Sequence, residues 1–124
     1  METKLRNDPN EVHLWGHVVW NAELRITNAG CPLCQFLLSY TYKWKEQAKL
    51  FIFEVVQFGD VAAEAAPYLQ SGQYVEIWGR LEQDKWKDHD GKSRSKTKIV
   101  ATRIELHDSS ETPPKDSDIE TENS

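Results

Sequence analysis

The sequence predicts an all-β fold with one short helix, closed into a five-stranded barrel, and three observations carry that expectation. Apolar and polar residues alternate at a period of two through most of the first 107 residues, which is the pattern of a sheet with one buried face. A single alanine-rich stretch, GDVAAEAAPYLQSG, breaks that alternation and reads as helix. Turn signals divide the rest so that the order is strand, strand, strand, helix, strand, strand.

Residues 1 to 9 are polar and are expected to fray. The first strand runs from Glu11 to Trp20, with Val12, Leu14, Gly16 and Val18 on one parity and His13, Trp15, His17 and Val19 on the other; Gly16 inside it points to a bulge or tight bend. Asn21 to Ile26 continues as extended chain into the turn TNAG, where Gly30 takes positive φ. The second strand covers Cys34 to Trp44, and its parity Phe36, Leu38, Tyr40, Tyr42, Trp44 grades from core into an aromatic ladder. After a polar connection, Lys45 to Lys49, the third strand spans Leu50 to Phe58, apolar on both parities. Asp60 is the expected N-cap of the helix, Gly72 its terminator, and Pro67 shortens or kinks its end. Val75, Ile77, Gly79 and Leu81 form the inward parity of the fourth strand, with Trp78 and Arg80 outward; Asp90-Gly91 turns the chain, and Ile99 to Leu106 is the fifth strand. This is the order of an oligonucleotide/oligosaccharide-binding (OB) barrel.

Charge is divided unevenly along the chain. Up to His107, 14 Lys and Arg are offset by 14 Asp and Glu; from Asp108 on, one Lys stands against six acids, which accounts for the whole net charge of −5. Acidity is thus a property of the end of the chain and does not oppose an anionic ligand on the folded part. The expected division is a folded domain over 1–107 and a disordered acidic tail over 108–124, where Ile119 is the only large apolar residue. No apolar run is long enough for a membrane helix and the start has no signal-like apolar core, so the expectation is a cytoplasmic protein with no membrane partner.

The most informative stretch is Tyr74 to Val100; inside its tip, from Lys85 to Lys98, Lys85, Lys87, Lys92, Arg94, Lys96 and Lys98 face only Asp88 and Asp90, and Trp86 stands between two lysines. Cations beside a flat ring suit phosphates and unpaired bases; the competing reading is a solvated hairpin whose Trp caps the core. Trp44 lies in the same Lys-Trp-Lys context, with Lys43, Lys45 and Lys49 as a phosphate track. Trp15, Trp20 and Trp78 fit a subunit interface as well as a ligand face. Cys31 and Cys34 read as small apolar side chains and not as a redox pair or zinc site: the following residues are strand rather than helix, and His13 and His17 lie about 13 Å apart on a strand, too far to share one ion. No cofactor motif occurs, and Gly91-Lys92-Ser93 is not a phosphate-binding loop, because Trp86 stands where its first Gly is required. No catalytic arrangement is found, so the chain is expected not to be an enzyme.

Three motifs, NEVHLWGHV, FEVVQFGDVAAEAAPYL and SGQYVEIWGRLEQDKWKDHDGKSR, make the chain from Asn10 to Leu106 resemble the bacterial-type single-stranded DNA-binding proteins. The resemblance implies an OB fold, homo-oligomers (tetramer or dimer), and non-catalytic, sequence-tolerant binding of single-stranded DNA in replication, recombination or repair, hence a nucleoid-associated protein. Carried over by position, it implies base stacking on Trp44, Phe58 and Trp86; the cations around the indoles, Lys43, Lys45, Lys85, Lys87, Lys92, Arg94 and Lys96, are expected on the DNA backbone from their charge. Two positions depart from the family pattern: Ile52 replaces a stacking Trp and Glu54 a basic residue. The loop KWKEQAK is short, and the acidic tail, the family's route to replication and repair partners, ends Thr-Glu-Asn-Ser without an apolar tip. The related primosomal replication protein B type is similar in GCPLCQFLL and RIELHDSS, and it is the alternative assignment, beside a protein-binding OB domain. The tail's acids are further expected to compete with DNA for the basic hairpin at low salt.

Overall fold

A computed structural model describes residues 7–114. Its strands are β1 (Val12–Val18), β2 (Glu23–Ile26), β3 (Pro32–Trp44), β4 (Gln47–Phe58), β5 (Tyr74–Lys87) and β6 (Ser93–His107), with helix α1 (Asp60–Ala65) and a 3-10 turn (Ala66–Tyr68) between β4 and β5. Neighbouring strands run β1-β5-β6-β4-β3, and β1 pairs back onto β3 through His17 and Val18, which closes the five-stranded OB barrel. The stretch expected as plain extended chain, Asn21 to Ile26, contains a sixth strand: β2 takes the half of the β3 edge, Pro32 to Gln35, that β1 leaves open.

The inward parities meet in one core. Val18, Cys34, Phe36, Leu38, Val55, Val75, Ile77, Ile99 and Ala101 are buried, and α1 closes the barrel with Ala62, helped by Leu69 beyond the 3-10 turn. Each large aliphatic side chain so buried contributes roughly 1.5–3 kcal/mol. Cys34 belongs to this core and both cysteines are free; burial pushes the Cys34 thiol above its ordinary range. Leu81, expected inside, is half exposed; β1 pairs with β5 only as far as Gly79, so Leu81 lies beyond the cover of that neighbour. The aromatic ladder of β3 behaves as its sequence predicts, passing from buried Leu38 to exposed Trp44.

Two glycines serve close approach. A Cβ on Gly16 would lie 2.4 Å from the Ser39 carbonyl oxygen, where β1 crosses β3; Gly16 keeps its register with Val75, so of the bulge or tight bend expected there the bulge is absent. The register shift comes instead at Trp78/Gly79, where β6 carries the extra Thr102, and a Cβ on Gly79 would lie 2.2 Å from the Val100 oxygen. The helix also differs at its start: Gly59 is the N-cap, with φ 97°, and Asp60 is the first helical residue, where its charge favours the helix N-terminus. Pro67 ends the α-helix early, since it has no N–H to donate, and the chain tightens into the 3-10 turn. Gly72 lies past both, in the turn that leads to β5.

The largest correction concerns the two loops. Strand pairing continues far beyond the barrel: β3 and β4 pair out to Trp44 and Gln47, and β5 and β6 pair out to Lys87 and Ser93. The stretch from Lys85 to Lys98 is therefore mostly β-ribbon, not a loop, and the polar connection expected over Lys45–Lys49 is a two-residue turn. The start of the acidic tail folds back as a turn in which the Asp108 oxygen accepts from Glu111 N, and Glu111 accepts from Asp108 N and pairs with His107. Residues 1–6, part of the segment expected to fray, and 115–124, most of the tail expected to be disordered, lie outside the described residues.

Candidate nucleic-acid interface

The two long hairpins leave the barrel at the same end. β4 and β6 are parallel and touch at Val55↔Ile99 and Val56↔Val100, and both hairpin turns precede this contact in their strands. Trp44, opposite Gln47, is eight residues out from Val55, about 26 Å at strand rise; Trp86, opposite Arg94, is five residues out from Ile99, about 17 Å. The result is a pair of arms with an exposed indole near each end.

Strand alternation decides which cations share a face with each ring. On the β5–β6 arm Trp86, 48% exposed, shares its face with cross-strand Arg94 and with Lys96 and Lys98. Lys85 and Lys87, its neighbours in sequence, lie on the opposite face with Ser93 and Ser95, so the apparent Lys-Trp-Lys sandwich does not form. The same rule separates Lys43 from Trp44, which is 56% exposed, while Lys45 turns back in the left-handed region (φ 57°) and sets its Nζ 5.7 Å from the indole centroid. Lys92 sits in the turn between β5 and β6. That turn is built on Asp88, whose Oδ1 accepts the N–H groups of Asp90 and Lys92, each at 2.9 Å, and whose Oδ2 accepts Arg94 Nε at 2.9 Å. The Lys92 N–H lowers the Asp88 carboxyl most; burial opposes it, and the Arg94 and Asp90 contacts add to the lowering, so the carboxyl stays below its usual range. Phe58, 43% exposed, lies at the far end of β4 from Trp44 and on the other face. The three rings therefore do not form one pocket; they are spread along the molecule from the arm ends to the barrel mouth.

Between the arms lies a face formed by Gln35 and Leu37 of β3, Ile52 and Glu54 of β4, and Lys96 of β6. Here the Glu54 side chain is 11% exposed and pairs in charge with Lys96, whose Nζ lies 2.7 Å from Oε1. Lys98 pairs with Asp84 at 3.0 Å. All three cations on Trp86's face are thus engaged by carboxylates of the protein itself. Trp20, at the bend after β1, is 71% exposed and borders the same face beside Asn21, Arg25 and Leu37.

A second cluster escaped the sequence reading. Glu76, buried on β5, accepts from His13 Nε2 at 2.6 Å and His107 Nε2 at 2.8 Å, while His107 Nδ1 meets Glu111 at 2.7 Å. With both ring nitrogens on carboxylates, the arrangement favours His107 as an imidazolium, the form that donates from both. Burial lowers its pKa, but the bonds to Glu76 and Glu111 outweigh that and raise it; burial likewise raises Glu76, and the two histidines outweigh it and lower it. Rings cover the cluster: Trp15 stacks on His107 at 4.1 Å, Trp78 on His13 at 5.0 Å, and Arg103 lies 4.5 Å over Trp78. Glu76, Glu105 and His107 bring one ligand atom each within 4.8 Å of one another, the one such grouping among the described residues. No helix there is long and apolar enough to cross a membrane. The period of two places these residues on the outward parity, yet only the pairing of β1 and β6 on either side of β5 reveals that they meet.

Residues 9–107 match the model of the family described as "Single-strand binding protein family". A protein of Treponema pallidum called single-stranded DNA-binding protein is 34% identical over 105 residues, 80% of this chain and 58% of that one. Proteins of the same name from Aquifex aeolicus and Deinococcus radiodurans are 30% and 32% identical, over 78% and 77% of this chain and 69% and 33% of theirs. The chain thus spans about three-fifths of the Treponema protein and a third of the Deinococcus one. Among solved structures, the one described as "Plasmodium falciparum SSB complex with ssDNA" superposes with a TM-score of 0.77 at 20% identity, covering 85% of this chain and all of that one, a likeness of fold.

Proposed function

The chain belongs to the single-strand binding protein family, and from that premise we propose that it binds single-stranded DNA without sequence preference and without catalysis. The observation that carries the reading is the pair of arms leaving one end of the barrel, each with a half-exposed indole and a cation on the same face, at Trp44 with Lys45 and Trp86 with Arg94. Bases stack on the rings, whose π faces accept any base, and phosphates follow the cations. Phe58 continues the path at the barrel mouth, and Lys43, Lys85, Lys87 and Lys92 supply the surrounding field, whereas Lys96 is held by Glu54 and is not counted among them. The separation of the rings suits a strand wound over the domain rather than a nucleotide held in a pocket. Residues 108–124 act in this reading as an acidic appendage to the 1–107 domain.

The role extends to keeping single strands protected during replication, recombination or repair, in the cytoplasm at the nucleoid. Self-association, as dimer or tetramer, uses the face of Trp15, Trp78 and Tyr74: β1 pairs with β3 only at His17 and Val18, so Val12–Gly16 presents a strand edge beside that aromatic face, and a second copy covers both. Leu37 and Ile52, about half exposed near Glu54, and Leu50, more exposed further along β4, favour a second reading in which this is a protein-binding OB domain or primosome accessory protein that uses that face for docking. A salt series of mobility shifts with oligo(dT) separates the two. DNA binding gives an affinity that falls with salt at a slope of about −0.7 per phosphate neutralised; no shift at any salt refutes it and leaves the docking reading.

A further inference from the structure

The charges between the arms form a continuous ladder across four strands. Arg25 Nη2 of β2 donates to Gln35 Oε1 of β3 at 2.8 Å. Gln35 Nε2 donates to Glu54 Oε2 of β4. Glu54 Oε1 forms an ion pair with Lys96 Nζ of β6, 2.7 Å away. Glu54 is the negative member of this row and is far more withdrawn from water than its cations, with 11% of its side chain exposed against 56% for Lys96 and 58% for Arg25, which also lies 3.5 Å from the exposed Glu23. A carboxylate held there cannot swing away into solvent to make room for another anion, because β3 and β6 flank it and Gln35 fixes its second oxygen. It stands where an oxygen of a backbone phosphate would meet Lys96.

We propose that Glu54 is an affinity-determining residue that acts as a built-in competitor of the DNA backbone. It neutralises Lys96 and, through Gln35, anchors Arg25, so the cations between the arms contribute little to DNA binding while it is ionised and in place. This inference rests on the proposed function and adds to it the residue that limits its strength. Two consequences distinguish it from a simple count of charges. Lys96, although basic and on the same face as Trp86, is nearly silent in the natural protein. Removing the negative charge, in contrast, makes Lys96 available, so the two residues are coupled and not additive.

A double-mutant cycle reads this coupling. Glu54→Gln keeps the side-chain length and, with its amide oxygen toward Gln35 Nε2, the hydrogen bond between β3 and β4. Affinity for fluorescein-labelled oligo(dT) is measured against salt for the natural protein, Glu54→Gln, Lys96→Ala and the double variant, with thermal melting as a check of folding. The expected result is that Glu54→Gln tightens binding about tenfold at low salt and steepens the salt slope by about 0.7, one phosphate contact more. Lys96→Ala alone changes affinity by about twofold or less, and in the double variant the tenfold gain disappears. If Glu54→Gln melts early, Lys96→Ala in the natural background still decides: a tenfold loss there overturns the proposal. So does a folded Glu54→Gln protein that binds no tighter, or a gain that survives Lys96→Ala. Natural protein that fails to bind oligo(dT) at all removes the proposed function and this inference with it, whereas binding indifferent to Glu54 removes the inference alone.

Discussion

Replacing Glu76 with Gln tests the buried histidine cluster, and the structure fixes both the size and the pH dependence of the effect. Glu76 is 8% exposed and is the common acceptor for His13 and His107. Gln retains its shape and one acceptor oxygen but presents an amide N–H₂ to the other imidazole, so one hydrogen bond between charged groups is lost outright. Such a bond contributes roughly 1.5–3 kcal/mol, and a protein of this size loses about 4 °C of Tm per kcal/mol, so a drop on the order of 10 °C is expected near pH 6. The pH dependence has two sides. His107 has a raised pKa, so its contribution is complete below the ordinary 6.5 and is lost as pH rises through the raised folded value. Glu76 has a lowered pKa, so its contribution is complete above the ordinary 4.5 and is lost as pH falls through the lowered folded value. Stability from this cluster is therefore fullest between about pH 4.5 and 6.5 and declines on either side. Calorimetric melts from pH 4 to 9 should show that plateau in the natural protein and a much flatter profile in Glu76→Gln. An equal Tm for the two proteins near pH 6, or parallel pH profiles, refutes the assignment of His107 as an imidazolium held by two carboxylates.

Other substitutions address the arms and the barrel. Trp86→Ala and Trp44→Ala should each weaken oligo(dT) binding by about tenfold to a hundredfold, since a stacked base contributes roughly 1–3 kcal/mol, with little change in Tm because both rings stand half outside the fold; anisotropy titrations measure it. Gly79→Ala forces a methyl carbon to within 2.2 Å of the Val100 oxygen and should destabilise the domain by about 1–3 kcal/mol or more in urea, whereas a neutral result would deny the close β5–β6 crossing. Deleting residues 115–124 removes Asp116, Asp118, Glu120 and Glu122 against Lys115. It should tighten DNA binding at low ionic strength and change little at high, as footprints at two salt concentrations would reveal.

The order of elements and the core were legible because a period of two, interrupted once by an alanine-rich stretch, has few compact solutions. Val18, Leu38, Ile77 and Ile99 follow from parity alone. The ends of the strands were not legible: Lys85 to Lys98 is too polar for a core, and it pairs all the same, because a ribbon outside the barrel needs backbone hydrogen bonds and no buried face. The consequence for the site is concrete. A Trp between two lysines in sequence suggests three contacts in one place, but in a strand the neighbours at one residue's distance point away, so Trp86 gains Arg94 from across the ribbon and loses Lys85 and Lys87. The pairing of Lys96 with Glu54 and the meeting of His13, Glu76 and His107 depend on which strands adjoin, and single-strand patterns carry no trace of that.

The central claim is that the indoles on the two arms stack on unpaired bases. Its most direct test is a tryptophan fluorescence titration of the full chain with oligo(dT), repeated with a duplex of equal length, on a sample whose mass in solution has been determined. Strong, saturable quenching by oligo(dT) that the duplex does not produce, and that shrinks when Trp44 and Trp86 are both replaced by Phe, is the predicted result. Equal quenching by the duplex, or quenching that persists unchanged without those two rings, would contradict it.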